Sequence, residues 1–219
     1  MTQAAKLVWI TPDAEALLVH MARVSNPKSQ EAGENSARLI RYLIRNRHWS
    51  PFEMVSACVE VNTTRDIARQ MLRHRSFSFQ EFSQRYADVS ALGDEFVTRV
   101  ARLQDQKNRQ NSLIISPIDD RHERWFRMQE DVVGAAMSAY EWAITNGIAK
   151  EVARAVLPEG MTASRLYMAG TLRSWIHYLA VRTDPATQLE HRHVATAIEA
   201  ELCPHVPAIF EALDEGSTP

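Results

Sequence analysis

The chain has 219 residues, a length that fits one large domain or two small ones. Hydrophobic residues make up 45% of it and charged residues 24%, the proportions of a globular protein with a buried core. The formal net charge of −2 excludes a general attraction to nucleic acid or to an acidic membrane, so any anion must be bound by local clusters of arginine.

Hydrophobic periodicity predicts four elements before Pro51 breaks the helical pattern. They are a strand at 6–10, a helix at 13–24, a loop at 25–34 and a helix at 35–46. The first helix is expected to place one apolar side toward the core, with Leu17, Leu18, Met21 and Val24.

Strict alternation at 54–62 predicts a half-buried strand, and Thr63 and Asp66 are spaced as a capping box for the helix 64–73. The aromatic and polar segment after that helix is interpreted as a loop. Next come a strand at 96–100 and a polar surface loop at 102–113.

The longest helical pattern, 119–146, ends at Asn146 and Gly147. Its expected apolar stripe contains Trp125, Met128, Val132, Val133, Ala136, Tyr140 and Ala143. A short helix before Pro158, an extended segment at 162–170 and helices at 172–182 and 187–202 complete the pattern. The sequence predicts an α+β fold with one central antiparallel sheet and packed helices, in a single domain over 1–219.

Polar side chains cluster at the end of the helix 64–73 and in the segment that follows. Gln70 and Arg73 are three residues apart and are expected to share a helix face. Arginines and hydroxyls in this pattern suit a phosphate and a flat heterocycle. The alternative is a solvated helix end whose arginines offset the helix dipole. Phe77, Phe79 and Phe82 favour the binding site, since solvated tails rarely carry three aromatic residues.

The helix 172–182 carries Arg173 and His177 on one face, whereas Arg182 is about half a turn out of phase. Cations on two sides suit a helix that lies between two subunits and contributes to two pockets. The alternative is that Arg182 caps the last carbonyls of the helix. The segment HWSPFE, residues 48–53, is either a turn with a satisfied His48 or part of a site.

Other candidate residues point to no chemistry. His191 and His193 diverge on a helix and cannot chelate one ion, so we interpret both as solvated and expect no metal site. Cys58 and Cys203 are too few and too far apart for a disulfide framework, and neither has an activating neighbour in the sequence. Without a signal peptide or an apolar run of ~20 residues, we expect a cytoplasmic protein with no membrane partner.

Five segments together resemble the flavin-dependent thymidylate synthases. The segment RHRSFSFQEFSQRY resembles the family signature of RHR, seven residues and Ser, with Ser83, Arg85 and Tyr86 at its end. Three further segments resemble family segments in the same order: HWSPFE before the signature, then ARAVLP, and LRSWIHYLAVR with TDPATQLE. RVSN at 23–26 resembles another, and the matches run from residue 23 to about 205.

The resemblance implies a homotetramer whose helices meet at subunit interfaces, with FAD and dUMP in shared sites. FAD would contact Ser25, Ser50, Glu53, Arg73, His74, Arg75, Glu81, Thr171, Leu172, Arg173 and His177. The dUMP contacts would be Gln70, Arg73, Glu81, Phe82, Ser83, Gln84, Arg85, Arg154 and Arg182. Arg182 would act on the base and His48 would stack near the flavin and the folate. Thr171 departs from the Asn of many members.

The implied reaction methylates dUMP to dTMP, with methylenetetrahydrofolate as the carbon donor and NADPH-reduced FAD as the hydride source. Neither cysteine lies in a recognisable nucleophile site, which agrees with a reaction that uses no thiolate. Two other functions are weighed against it. A single-strand-binding module would use RHR and its Phe residues as a stacking surface, and a metal-dependent nucleotide phosphohydrolase would use helical His and Asp. A yellow purified protein would exclude both.

Overall fold

The computed structural model describes residues 4–32, 36–93 and 96–216. Its strands are β1 (Ala5–Ile10), β2 (Ser56–Thr64), β3 (Ser78–Glu81), β4 (Arg102–Gln104), β5 (Ser112–Ile114) and β6 (Ala163–Thr171). Its α-helices are α1 (Ala14–Ala22), α2 (Pro27–Ala32), α3 (Ser36–Arg45), α4 (Arg65–Met71), α5 (Arg121–Thr145), α6 (Lys150–Ala153), α7 (Leu172–Arg182), α8 (Leu189–Leu202) and α9 (Pro207–Gly216).

Four strands form an antiparallel sheet in the order β1-β2-β6-β3. At the centre β2 and β6 pair along their whole length, from Ser56 opposite Thr171 to Thr64 opposite Ala163. The alternation predicted for 54–62 is confirmed, since one face of β2 is buried through Ala57, Val59 and Val61. This register places the start of α7 and the start of α4 at opposite ends of the sheet.

The buried face of the sheet carries a layer of helices, which confirms the α+β prediction. The core joins the sheet to α1, α3, α4, α7, α8 and α9, and among its largest fully buried side chains are Leu18, Ile40, Ile67, Trp175 and Ile198. The other sheet face is more polar. There Tyr167 donates to Glu60 at 2.9 Å and Arg165 donates to Asn62 at 3.0 Å.

Local polar groups explain two corrections near the predicted helices. The predicted loop 25–34 contains α2, because Pro27 suits a first helical turn and the Asn26 side chain accepts from the Ser29 N–H at 3.4 Å. Residues 33–35, including the predicted helix start Asn35, lie outside the described residues. At α4 the flanking residue is Thr64, whose hydroxyl donates to Asp66 at 2.6 Å, so the capping box predicted at Thr63 is wrong.

Pairing between distant segments explains three further corrections. The segment after α4, predicted as a loop, contains the edge strand β3, which pairs with β6. The predicted strand 96–100 is reduced to one bridge between Phe96 and Thr162. The predicted loop 102–113 contains the start of the hairpin β4-β5, whose turn is held by Asp105 accepting from the N–H groups of Lys107 and Asn108.

The long helix is confirmed as α5, but only part of its predicted stripe is buried. Ala136, Tyr140 and Ala143 are buried, whereas Trp125, Met128 and Val132 are exposed. The buried face of α1 also differs from the predicted one, since Leu18 and Val19 face the core and Val24 is exposed. Helix α9, which the pattern did not predict, packs against α3. None of the described helices combines the length and apolar composition needed to cross a bilayer.

Candidate active site

Helix α7 begins beside residues predicted to hold a flavin. Thr171 precedes the helix, and its hydroxyl accepts from the Ser174 N–H at 3.3 Å. Arg173 forms an ion pair with Glu53, which ends the 3-10 helix Ser50–Glu53. The ring of His177, one turn further along, lies 4.9 Å from that of Trp49. We call Ser50, Glu53, Thr171, Arg173 and His177 the amino-terminal group.

Charge and burial differ within this group. Arg173 and Glu53 are both about half exposed, so their ion pair lies at the surface. Burial, and then the positive charge of Arg173, lower the pKa of His177, which is therefore neutral at neutral pH. The group combines a helix N-terminus, an arginine, a carboxylate, two hydroxyls and the His177 ring, which packs against Trp49.

The other end of α7 holds a second set of predicted residues. Arg182 donates from Nε to Nε2 of His74 at 2.9 Å. Burial and the charge of Arg182 lower the pKa of His74, so His74 is a neutral acceptor. Gln70 donates to Gln188 at 2.8 Å. We call Gln70, His74 and Arg182 the carboxyl-terminal group.

This geometry rejects the alternative in which Arg182 caps its own helix. The Leu179 carbonyl instead accepts from the N–H and the hydroxyl of Thr183, at 2.9 and 2.8 Å. Within the described residues the two terminal nitrogens of Arg182 have no hydrogen-bond partner. A half-buried guanidinium is thus held at Nε while its outer edge stays available to a planar ligand.

The signature residues at the end of β3 and just beyond it form a third set. Glu81 accepts from the Ser164 hydroxyl at 2.8 Å and lies 3.8 Å from Arg65. The Phe82 N–H donates to the Arg165 carbonyl at 2.8 Å. We call residues 82–85 the signature turn.

Side chains of the signature turn differ in exposure. Gln84 is 3% exposed, and its amide nitrogen has no partner in the described part of the chain. Arg85 is exposed, 3.5 Å from Glu151 at the start of α6. Arg154 follows α6 directly. The turn and α6 therefore bring Arg85 near the segment that carries Arg154.

Within the described part of one chain, the three sets are spread along the central sheet. β2 spans about 27 Å from Ser56 to Thr64, and the amino-terminal group lies at the Ser56 end. Ser25 and His48 are exposed, and the ring of His48 packs edge-on against Tyr42. A cavity of about 530 Å³ between β4 and α5 is lined by none of the predicted residues.

One expected relation between the predicted residues is wrong, that of Gln70 and Arg73. Helix α4 ends at Met71, so Arg73 lies beyond it and does not share a helix face with Gln70. The Leu172 side chain is 2% exposed and its N–H donates to the Val55 carbonyl. Arg73, Arg75 and Arg154 have no carboxylate partner among the residues that the structure describes.

Sequence reasoning missed His191, which it placed on a solvated face. The residue is 0% exposed and contacts Tyr178 and Gln70. Burial, then the charges of Arg182 and His74, lower its pKa to about 3. Val194, Ala195 and Ile198 follow it at helical spacing on the buried side of α8, and that spacing was the available signal. His193 is exposed as expected.

The cysteines lie apart from the three sets. Cys58 is 7% exposed within β2, and burial raises the pKa of its thiol. Cys203 is a half-buried free thiol beyond α8. In the described ranges no group of three His, Cys, Asp or Glu side chains is placed to hold a metal ion.

Known proteins are similar to this chain over most of its length. The sequence model of the family described as "Thymidylate synthase complementing protein" (Thy1) matches residues 6–208. A "Flavin-dependent thymidylate synthase" of Synechocystis sp. is 47% identical, covering 91% of this chain and 89% of that protein. A "Probable flavin-dependent thymidylate synthase" of Paramecium bursaria Chlorella virus 1 is 44% identical, covering 96% of this chain and 99% of the viral protein.

A solved structure matches the fold as well. The crystal structure of the UMP/dUMP methylase PolB from Streptomyces cacaoi, bound with 5-Br dUMP, has a TM-score of 0.83 and 30% sequence identity. The match covers 96% of this chain and 94% of PolB. The chain belongs to the family of flavin-dependent thymidylate synthases.

Proposed function

We propose that this chain, acting as one domain, methylates dUMP to dTMP in the cytoplasm. Methylenetetrahydrofolate supplies the carbon and is released as tetrahydrofolate, and NADPH reduces the bound FAD. The observation that carries the proposal is Arg182, which is held at Nε by neutral His74 with its outer edge unpaired among the described residues. Such a guanidinium suits a planar base that must gain negative charge.

The donor set of the amino-terminal group fits a flavin nucleotide. The start of an eleven-residue helix and the cation of Arg173 suit a diphosphate, while His177 and Trp49 offer ring surfaces. Ser50, Arg173 and His177, with Arg73, His74 and Arg75 of the signature, would hold FAD, which supplies the hydride when bound. Ser25, Glu53, Glu81, Thr171 and Leu172 complete this proposed set.

Arg182 would act on the uracil ring. Its two terminal nitrogens form a planar fork that can donate paired hydrogen bonds to the polar edge of the pyrimidine. A fixed positive charge at that edge stabilises the anion left when N3 loses a proton, and so increases electron density at C5. Because His74 is neutral, it accepts from Nε and leaves the full charge of Arg182 in place.

The signature turn would hold the nucleotide. Gln84 has a buried amide nitrogen that needs an acceptor, and Ser83 supplies a hydroxyl. Arg85 and Arg154 would grip the phosphate and ribose, helped by Phe82, Glu81 and Gln70. To do so, Arg85 must give up its ion pair with Glu151, which is exposed and therefore weak.

A homotetramer with shared sites would bring the separate sets together. The two ends of α7 carry different groups, about 14 Å apart along the helix from Arg173 to Arg182. Exposed apolar side chains on α5, such as Trp125, Phe126 and Met128, offer surface that another copy can cover. His48 and Ser25 lie exposed, where a second subunit can complete their surroundings.

The reaction would proceed without a cysteine nucleophile. A thiolate nucleophile needs a lowered pKa or a neighbouring base. Cys58 instead lies inside the sheet, where burial raises the pKa of its thiol.

The test is the absorbance spectrum and product analysis of the purified protein. We expect a yellow protein whose flavin spectrum shifts when dUMP is added, and which forms dTMP only with NADPH and methylenetetrahydrofolate together. Colourless protein that contains metal and hydrolyses nucleotides would contradict the proposal. Colourless protein with strong salt-dependent binding to single-stranded DNA would also contradict it, in favour of a binding module.

A further inference from the structure

A chain of hydrogen bonds runs through the interior beneath the carboxyl-terminal group. The Tyr178 hydroxyl is 2.9 Å from Nε2 of His191, and Nδ1 of His191 is 3.3 Å from Oε1 of Gln70. Gln70 then donates to Gln188 at 2.8 Å, and Gln188 donates to Glu190 at 3.0 Å. His191 and Tyr178 are 0% and 1% exposed, so water does not replace the bond between these two side chains.

The direction of every bond in this chain follows from its last member. Burial opposes the charge of Glu190, but hydrogen bonds from Arg102 and Gln188 more than offset it and lower its pKa to about 2. An ionised carboxylate only accepts, so Gln188 must present its amide nitrogen to Glu190 and its oxygen to Gln70. Gln70 must then present its nitrogen to Gln188 and its oxygen to His191.

The same logic fixes the tautomer of His191. An amide oxygen only accepts, so Nδ1 of His191 carries the proton and donates to Gln70. Nε2 therefore holds a lone pair and accepts the Tyr178 proton, which burial retains by raising the pKa of that phenol. The ring of Tyr178 in turn packs edge-on against His74, the partner of Arg182, at 4.9 Å.

We propose that His191 is a positioning residue for the nucleotide: by donating from Nδ1 to the Gln70 oxygen, it holds the Gln70 amide in the orientation that Gln188 sets, with its second N–H toward dUMP. Gln70 is half-buried at the end of α4, so part of its side chain remains accessible. With one N–H bound to Gln188 and one lone pair bound to His191, it keeps one N–H for the ligand. The inference rests on the proposed function, since it takes Gln70 as a dUMP contact.

A buried histidine can also stabilise the core without affecting the ligand. A set of variants separates this structural role from the positioning of Gln70. His191→Leu keeps the volume and removes both nitrogens. His191→Asn retains a donor near Nδ1, facing Gln70, whereas His191→Gln retains a polar group near Nε2, facing Tyr178. Val194→Ala, one turn away at a buried apolar position, is the control for lost core stability.

The experiment titrates dUMP into each holoenzyme and follows the flavin absorbance, beside the KM for dUMP and kcat. We expect His191→Leu to keep its flavin and to bind dUMP about 10-fold more weakly, the equivalent of one hydrogen bond. His191→Asn should recover most of the lost dUMP affinity. His191→Gln should still bind dUMP weakly. Val194→Ala should bind dUMP normally.

A double-mutant cycle with Gln70→Ala decides whether His191 acts through Gln70. If it does, His191→Leu costs little further dUMP affinity once Gln70 is gone. Additive losses would overturn the proposal, as would equal losses in Val194→Ala and His191→Leu. Should His191→Leu fail to fold, His191→Asn against His191→Gln makes the same comparison, and Gln binding better than Asn would overturn it. A wild-type protein without flavin would instead reject the proposed function.

Discussion

The arginines at the two ends of α7 are held by different kinds of partner. At the amino-terminal end, Arg173 and Glu53 form an exposed ion pair, which contributes about 1 kcal/mol or less and can be given up when a ligand arrives. At the carboxyl-terminal end, Arg182 is tied to a neutral histidine above a buried hydrogen-bond chain. The contrast suggests an adaptable end for a large cofactor and a preorganised end for the reacting base.

The largest expected effect is the loss of kcat when Arg182, at the carboxyl-terminal end of α7, is replaced. Arg182→Ala should lower kcat by about 100- to 1000-fold, as removal of a donor to a developing anion does elsewhere, and dUMP affinity by much less. Arg182→Lys should recover little, because Lys presents no planar fork. Tritium release from uracil C5 measures the first effect and flavin titration the second. Equal losses in kcat and affinity would assign Arg182 to plain binding.

Arg85 tests the signature turn as a site for the nucleotide phosphate. Arg85→Ala should weaken dUMP binding about 10- to 100-fold, since a hydrogen bond to a charged group is worth roughly 1.5–3 kcal/mol. Flavin content should be unchanged. Glu151→Ala is the matched control, because it removes the ion-pair partner of Arg85 and should leave binding intact or slightly stronger. Normal dUMP binding with lost flavin in Arg85→Ala would reassign this turn to the cofactor.

The buried His191 should also make the free energy of unfolding depend on pH in the acid range. His191 has an ordinary pKa of 6.5 when unfolded and about 3 when folded, with Arg182 and His74 nearby. Below pH 6.5 the unfolded state binds the extra proton, so the free energy of unfolding falls by up to about 1.4 kcal/mol per pH unit.

Thermal unfolding between pH 7.5 and 5 measures this dependence. His74 and His177 also have lowered pKa values and contribute in the same direction, so the wild type is compared with His191→Leu. The variant should lose stability less steeply as the pH falls. Parallel curves for the two proteins would show that His191 is not buried in its neutral form.

The smallest effect is expected at the cysteines, which lie outside both ends of α7. The double change Cys58→Ala and Cys203→Ala should retain dTMP formation within about 3-fold, with a modest loss of stability from the buried Cys58. A folded double variant that reduces its flavin but forms no dTMP would show that a thiolate takes part.

Local patterns predicted the regular elements better than the contacts between them. Apolar alternation identified the buried face of β2, and the helical period identified α5 and α7. The edge strand β3 and the hairpin β4-β5 were missed because polar residues form them through pairing with distant or adjacent backbone, which composition does not encode.

The site residues were predicted from motifs. The one histidine whose burial was predicted wrongly is His191. His191 looked solvated beside His193, because a polar side chain in the core is stable only when its partners are present. Those partners, Tyr178 and Gln70, lie on two other helices, and only the folded chain brings them together.

We expect each site to be built from more than one copy of the chain. Inactive Arg173→Ala and Arg182→Ala proteins are mixed under conditions that exchange subunits, and dTMP formation is measured against each variant alone. Because the two arginines lie at opposite ends of α7, some hybrid sites should receive both intact side chains, and activity should reappear. Proven exchange without any recovered activity would contradict the claim and place each site within one chain.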